Sequence, residues 1–295
     1  MRYKKISGFS DEIGEDTDTQ FRVLNKLNIG FFEPRGIDGK NIADLSDEEV
    51  SALKKKMSSW GIRASSVGSP VGKIRLEEDF EPHFRKFKRV VEIAKKLETK
   101  YIRIFSFYHS PAQVTGTSGS ETENVWTSRE RAEVLERLSR MIAHARDENI
   151  VLLHENEKDI YGDTVRRCED LMRELGCRHF RAVFDPANFV QCGQDTREAY
   201  GRLRDFISYV HVKDALMEGG KVVPAGAGDG HVEYILKSLL ADGFDGFISL
   251  EPHLRSFAGL EALELGDKVQ GLPAGGEGTF TLAYRALESI LDRAV

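Results

Sequence analysis

The chain alternates between two hydrophobic patterns. Short runs rich in β-branched and aromatic residues are separated by longer runs in which apolar residues recur every three or four positions. Strands that alternate with amphipathic helices in this way are typical of parallel β/α units. The short runs predict eight strands, near residues 6–10, 31–35, 62–68, 101–107, 151–157, 181–186, 207–213 and 246–252.

Helices are expected between these strands. Ser46 and Glu49 have capping-box spacing, which predicts that a helix begins there and ends at Gly61. Eight strand–helix pairs close naturally into a barrel. An open doubly wound sheet is the alternative, but its first strand usually leads into a glycine-rich phosphate loop, whereas this one leads into the acidic segment SDEIGEDTD. The sequence therefore predicts the α/β class, with a single (β/α)₈ TIM barrel domain over residues 1–295.

Two segments, residues 109–126 and 254–278, are longer than the usual connection between elements. Both follow strands, on the side of the barrel where barrel enzymes place their active sites, so both are candidate lids. An insertion without a catalytic role, or a contact between subunits, is an equally good interpretation of each segment.

Composition and charge narrow the class of protein. The 295 residues carry a net charge of −6, which argues against a protein whose affinity comes from neutralising nucleic-acid phosphates. Cys168, Cys177 and Cys192 show neither zinc-finger spacing nor a disulfide framework. The N-terminus lacks the apolar run of a signal peptide, and no run approaches the roughly 18 apolar residues of a membrane span. We expect a cytoplasmic protein without a nucleic-acid or membrane partner.

Strand periodicity sorts side chains into those that face the helices and those that face the barrel axis. In the strand at 207–213, Val210 and Val212 face the helices, so His211 and Lys213 point inward. The same reasoning assigns His154, in the strand at 151–157, to the outer face. The further polar side chains predicted to face inward are Glu33, Arg35, Arg103, Glu155, Asp185, Glu251 and His253.

A metal site is the simplest interpretation of four of these residues, which lie at the ends of consecutive strands: Glu155, Asp185, His211 and Glu251. Several carboxylates cannot be buried together unless a cation neutralises them. Mixed oxygen and nitrogen ligands fit one Mn²⁺, Mg²⁺, Co²⁺ or Zn²⁺ ion, and the lack of thiolates removes the softest metals. The alternative is that each acid pairs with an internal base such as Lys213 or Arg103.

Several segments, in this order and spacing, resemble the xylose isomerase-like superfamily of sugar phosphate isomerases and epimerases: HENEKDIYGDT, FDPANF, YVHVKDA, PAGAGDG and ISLEPHL. The resemblance extends over roughly residues 6–255, and it implies a metal held by the four residues that strand periodicity selects. In the ketose 3-epimerase branch a histidine follows the metal-binding aspartate by three residues, whereas this chain has Asn188 there. The substrate contacts of that branch therefore do not transfer directly.

The resemblance implies a metal-dependent isomerase or epimerase of carbohydrate metabolism, acting on a sugar, sugar phosphate or related α-hydroxy ketone. The metal would stabilise an enediolate, and Glu155 and Glu251 would remove and return the proton. Members often form homo-oligomers, so we expect one here. The candidate substrate-binding residues are Glu33, Arg35, Lys73, Arg103, Asn188, Lys213 and His253, and Arg255 is a further cation that could bind substrate groups.

Three other functions are alternatives to this one. A dehydratase of a keto-inositol or keto-sugar would use the same residues and expel water. A hydrolase of the apurinic-site endonuclease type would need three zinc ions, and Asp229 with His231 has suitable spacing but follows the glycine pair that it should precede. A binding protein without catalytic activity is hard to reconcile with a complete set of metal ligands.

Overall fold

Strands and helices alternate along the chain in the computed structural model, which describes residues 3–109, 126–254 and 276–294. The strands are β1 (Ile6–Gly8), β2 (Phe31–Phe32), β3 (Gly36–Ile37), β4 (Lys40–Asn41), β5 (Arg63–Ala64), β6 (Val67–Gly68), β7 (Tyr101–Ile104), β8 (Val151–Glu155), β9 (Phe180–Phe184), β10 (Ile207–Val212), β11 (Asp214–Ala215), β12 (Val222–Val223) and β13 (Phe247–Leu250). The α-helices are α1 (Thr17–Lys26), α2 (Asp47–Trp60), α3 (Phe80–Lys96), α4 (Ser128–Asp147), α5 (Val165–Leu175), α6 (Pro186–Gln191), α7 (Thr196–Leu203), α8 (Val232–Ala241) and α9 (Gly276–Ala294).

The barrel consists of one large parallel sheet completed by a short strand pair. The sheet has the order β1-β13-β10-β9-β8-β7-β6, and β2 pairs in parallel with β5. The backbone N–H of Glu33 donates to the Gly8 carbonyl at 2.9 Å, and that of Gly68 donates to the Pro34 carbonyl at 2.9 Å. These bonds place β2 between β1 and the β5–β6 segment, which closes the ring. The predicted α/β barrel fold is confirmed.

The strand predicted over residues 62–68 is interrupted, since β5 ends at Ala64 and β6 begins at Val67. A side chain takes the place of a ladder partner at this point: the hydroxyl of Thr99 donates to the carbonyl of Ser65 at 2.8 Å. The Ser65 hydroxyl in turn contacts that of Tyr209, at 2.8 Å, inside the barrel. The expectation of one continuous strand was therefore wrong.

Helix ends follow local sequence signals. Ser46 and Glu49 form the predicted capping box at the start of α2, and Gly61 ends that helix with a φ of 66°. Asp185 caps α6, which begins with Pro186 directly after β9. Its position between a strand and a helix fixes Asp185 at the carboxyl end of the barrel.

Apolar side chains pack against the strands both outside and inside the barrel. The main core lies between the barrel and its helices and includes Phe21, Val90 and Leu236. Inside the barrel a second cluster consists of Leu153, Val183 and Tyr209, with Tyr101, Val151 and Phe247 packed against it. This interior cluster fills the end of the barrel where the strands begin.

Residues 110–125 and 255–275 lie outside the described residues, as does Arg255. The prediction that residues 109–126 and 254–278 act as lids therefore stays a prediction. The three cysteines, Cys168, Cys177 and Cys192, are free thiols, in line with the sequence analysis. In the described part of the chain, none of the helices is sufficiently long and apolar to cross a membrane.

Candidate metal centre

Four buried side chains meet where the barrel strands end. Glu155 is the last residue of β8, His211 lies in β10, and Asp185 and Glu251 directly follow β9 and β13. One possible ligand atom from each lies within 4.8 Å of those of the other three, and all four side chains are buried. Among the described residues, this is the group of acids, histidines and cysteines whose geometry could hold a metal ion.

Asp185 is fixed by backbone contacts on both sides. Its Oδ1 accepts a hydrogen bond from the backbone N–H of Asn188 at 2.9 Å, as the cap of α6. The side chain of Asn156 accepts from the backbone N–H of Asp185 at 3.0 Å and donates to its carbonyl at 2.9 Å. Asp185 Oδ2 is left facing the other three residues, 3.3 Å from the Lys213 ammonium.

The imidazole of His211 lies between carboxylates on two sides. Its Nδ1 is 2.8 Å from Glu155 Oε1 and 3.3 Å from Glu251 Oε2. Its Nε2 is 3.3 Å from Glu33 Oε2, which also accepts hydrogen bonds from Tyr209 at 2.8 Å and from the Ser249 hydroxyl at 2.9 Å. Glu33 therefore orients the histidine and connects it to Tyr209 of the apolar interior cluster.

Each of the two glutamates has one oxygen near His211 and the other bound to an arginine. Arg103 donates to Glu155 Oε2 at 2.6 Å. Arg35 donates to Glu251 Oε1 at 3.0 Å and to Asp11 at 2.8 Å. The two arginines thus hold both carboxylates in fixed orientations.

The protonation of these groups depends on their neighbours. Burial raises the pKa of Glu155, but the charges of His211 and Arg103 oppose it and lower the value to about 2. Burial has the same effect on Glu251, where Lys213 and His253 bring the pKa well below its usual range. Burial also raises the pKa of Asp185, to about 7, although Lys213 opposes the shift. Of these three carboxyl groups, Asp185 is therefore the one whose pKa stays above its usual range.

The donor set suits a hard or borderline divalent cation. Asp185 Oδ2 and Glu251 Oε2 are buried without a hydrogen-bond partner, and buried polar atoms in this condition cost folding free energy. Three carboxylates and an imidazole that face one volume match the ligands preferred by Mg²⁺, Mn²⁺, Co²⁺ and Zn²⁺. The residues present therefore fit such an ion.

The remaining predicted substrate-binding residues surround the cluster. Asn188 donates from its side chain to the Asn156 carbonyl at 2.8 Å and lies 3.4 Å from Glu155 Oε1. His253 Nε2 is 3.3 Å from Glu251 Oε1. Lys73 pairs with Glu157 at 3.3 Å, and both side chains are largely buried.

Sequence reasoning missed three residues of this network. Asp11 and Glu12 both contact Arg35, and Glu12 Oε2 accepts the backbone N–H of His253 at 2.8 Å. The sequence signal was the acidic segment after the first strand, which was used only to exclude a phosphate loop. Asn156 was missed because it adjoins Glu155 on the opposite face of the strand.

The candidate zinc pair of the hydrolase alternative lies elsewhere. Asp229 accepts the backbone N–H of Met217 at 2.6 Å, and His231 Nδ1 is 2.9 Å from the Thr196 hydroxyl. Neither residue belongs to the group of four possible ligands.

Comparison with protein families matches residues 21–270 to the xylose isomerase-like TIM barrel family. A search of curated protein sequences gives no match. Solved structures resemble the fold over nearly its whole length. A probable 3-DHS dehydratase from Bacillus anthracis is 17% identical, with a TM-score of 0.70 and coverage of 96% of this chain and 98% of that one.

Two further solved structures are similar to the same extent. A xylose isomerase-like TIM barrel protein from Mycobacterium smegmatis in complex with magnesium is 16% identical, with a TM-score of 0.70 and coverage of 99% and 97% of the two chains. A D-allulose 3-epimerase from Methylomonas sp. in complex with D-allulose is 14% identical, with a TM-score of 0.69 and coverage of 99% and 98%. By the family match over most of its length, the chain belongs to the xylose isomerase-like TIM barrel family.

Proposed function

We propose that this protein is a divalent-metal-dependent isomerase or epimerase that acts on a sugar or a related α-hydroxy ketone. The observation that carries the proposal is the cluster of three buried carboxylates and one imidazole at the carboxyl ends of the strands. Barrel enzymes place their catalytic groups at that end. The similarity to a D-allulose 3-epimerase agrees with this class of reaction.

Glu155, Asp185, His211 and Glu251 are the residues that would hold the ion. When bound, the ion would polarise the carbonyl and the adjacent hydroxyl of a ketose and lower the free energy of the enediolate that forms on proton loss. Glu33 would keep the imidazole of His211 in one orientation, as outer carboxylates do for histidine ligands.

Proton transfer is assigned to the two glutamates. Glu155 and Glu251 are both ionised, since Arg103 and Arg35 bind one oxygen of each. One carboxylate would remove the proton from the carbon next to the carbonyl, and the other would return a proton to the opposite face or to the neighbouring carbon. We assign Arg35 and Arg103 the role of positioning these carboxylates, and Asn188, Lys213 and His253 that of binding substrate oxygens.

Exchange of substrate protons with solvent tests the scheme. Glu155→Gln and Glu251→Gln should each reduce exchange of a ketose C–H with solvent deuterium by about 10²–10⁴-fold, because each lacks one general base. The exchange is followed by NMR over a panel of ketoses, and metal content is measured in the same samples. Glu98→Gln, an exposed residue paired with Lys54, is the control. Undiminished exchange in both active-site variants would refute the two-glutamate scheme.

A dehydratase is the second candidate. Lys213 and His253 lie within 3.7 Å and 3.3 Å of the carboxylate of Glu251, where a donor could protonate a departing hydroxyl. The similarity to a probable 3-DHS dehydratase agrees with this possibility. Mass spectrometry of the product distinguishes the two reactions, since dehydration yields a product lighter by one water.

A further inference from the structure

The cations around the candidate metal centre already have carboxylate partners. Arg103 pairs with Glu155 at 2.6 Å and Lys213 with Asp185 at 3.3 Å. The two other cations, Arg35 and Lys73, are also paired with carboxylates. Arg35 contacts Asp11, Glu12 and Glu251, and Lys73 contacts Glu157.

Carboxylates outnumber these four cations. Within the described ranges, the carboxylates that contact the four cations or His211 are Asp11, Glu12, Glu33, Glu155, Glu157, Asp185 and Glu251. The formal excess is three negative charges, so a bound divalent ion would not make the site positive overall.

Lys73 shares an aromatic ring with an arginine of the candidate metal centre. Its ammonium lies 4.3 Å from the centre of the Phe105 ring, and the guanidinium of Arg103 lies 4.5 Å from the same ring. Arg103 binds Glu155, so Lys73 is connected to this candidate metal ligand through Phe105 and Arg103. Its partner Glu157 follows Glu155 by two residues and is itself largely buried.

We propose that the site selects an uncharged polyhydroxy ketone over its phosphate ester, and that Glu157 enforces this choice by neutralising Lys73. The proposal rests on the proposed function and names its substrate class. Among the described residues, a phosphate dianion would meet a negative surplus and cations that already pair with carboxylates, which is unfavourable. Hydroxyl groups, in contrast, can both donate to carboxylates and accept from the paired lysine or arginine without separating an ion pair.

The preference of the metal-loaded wild-type protein is the first test. D-allulose and D-fructose are compared with their 6-phosphate esters, with kcat/KM for solvent deuterium exchange as the readout. The free ketoses should be favoured by about tenfold or more, since like-charge contacts disfavour the esters. A preference for the esters would overturn the proposal. Absence of exchange with every sugar would instead count against the proposed function.

The second test removes the negative charge that neutralises Lys73. Glu157→Gln keeps the shape of the side chain but removes its charge, so the metal-loaded variant should bind inorganic phosphate roughly tenfold more tightly than wild type. Affinity is measured by calorimetry, and any direct binding of phosphate to the metal contributes equally to both proteins. Glu98→Gln removes one charge from the Lys54 pair and should leave phosphate affinity unchanged. Equal affinity in Glu157→Gln and wild type would overturn the role of Glu157, whatever the reaction.

Discussion

The two ends of the barrel interior are built by the same strands from opposite kinds of side chain. In β8, Leu153 belongs to the apolar interior cluster, and two residues later Glu155 belongs to the candidate metal centre. In β10, Tyr209 and His211 are related in the same way. Apolar burial stabilises a fold, whereas buried charges cost stability unless they are paired or bind an ion. Stability and chemistry are therefore separated along these two strands.

The largest effect is expected at the apolar end. Leu153→Ala should lower the free energy of unfolding by about 3 kcal/mol, since it leaves a cavity in a fully buried cluster. Urea denaturation measures the loss. At half-buried Leu282 on α9, the same substitution should cost about 1 kcal/mol. Similar losses at the two positions would contradict the assignment of Leu153 to a tightly packed interior.

At the charged end, a change should affect metal binding and not the stability of the metal-free protein. Asp185→Asn should weaken metal affinity by about 100-fold, because it removes an anionic ligand. Burial disfavours the ionised carboxyl, asparagine is an equally good helix cap, and Lys213 keeps Glu251 as a partner at 3.7 Å, so stability in the presence of a chelator should be maintained. Metal titration and thermal unfolding measure both quantities. A chelated variant less stable than chelated wild type would argue that Asp185 stabilises the fold.

A smaller effect on metal affinity is expected at Glu33, which contacts the candidate ligand His211. Glu33→Gln should weaken metal affinity by about 10-fold, since a neutral amide orients His211 less strongly. Ser249→Ala also removes a hydrogen bond to Glu33 but leaves the contact between Glu33 and His211, so it is the matched control. Calorimetric metal titration compares the two variants. If the two variants weaken metal binding equally, the contact between Glu33 and His211 does not account for the loss of affinity.

The smallest effect concerns the loop that carries Lys73. Nε2 of His83 accepts the backbone N–H of Gly72 at 2.8 Å, and burial lowers the pKa of His83 to about 4. The unfolded chain therefore takes up a proton at higher pH than the folded one, and stability should fall as pH decreases from about 6.5 towards 4. His83→Gln should reduce this decline by about 1 kcal/mol in chemical denaturation at several pH values. An unchanged pH profile would assign the decline to other groups.

Much of the fold and of the candidate site was predictable from local patterns. Alternation of apolar residues placed Glu155, Asp185, His211 and Glu251 on inward faces, and the structure brings them together. The same alternation placed His154 outside the barrel, where it lies against Phe180. Other features depend on distant residues. The break after β5 involves a bond between Thr99 and Ser65, and no local signal marks it.

The sequence by itself determined the class of fold and which side chains face the barrel axis, because strand and helix periods are local properties of the chain. Only the tertiary structure decided which charges meet. Arg35 and Glu251 are 216 residues apart in sequence, and Glu33 and Tyr209 are 176 apart. Such pairs depend on how the strands align when the barrel closes. Ring closure brings the first strands against the last, and so completes the network of charges around the candidate metal centre.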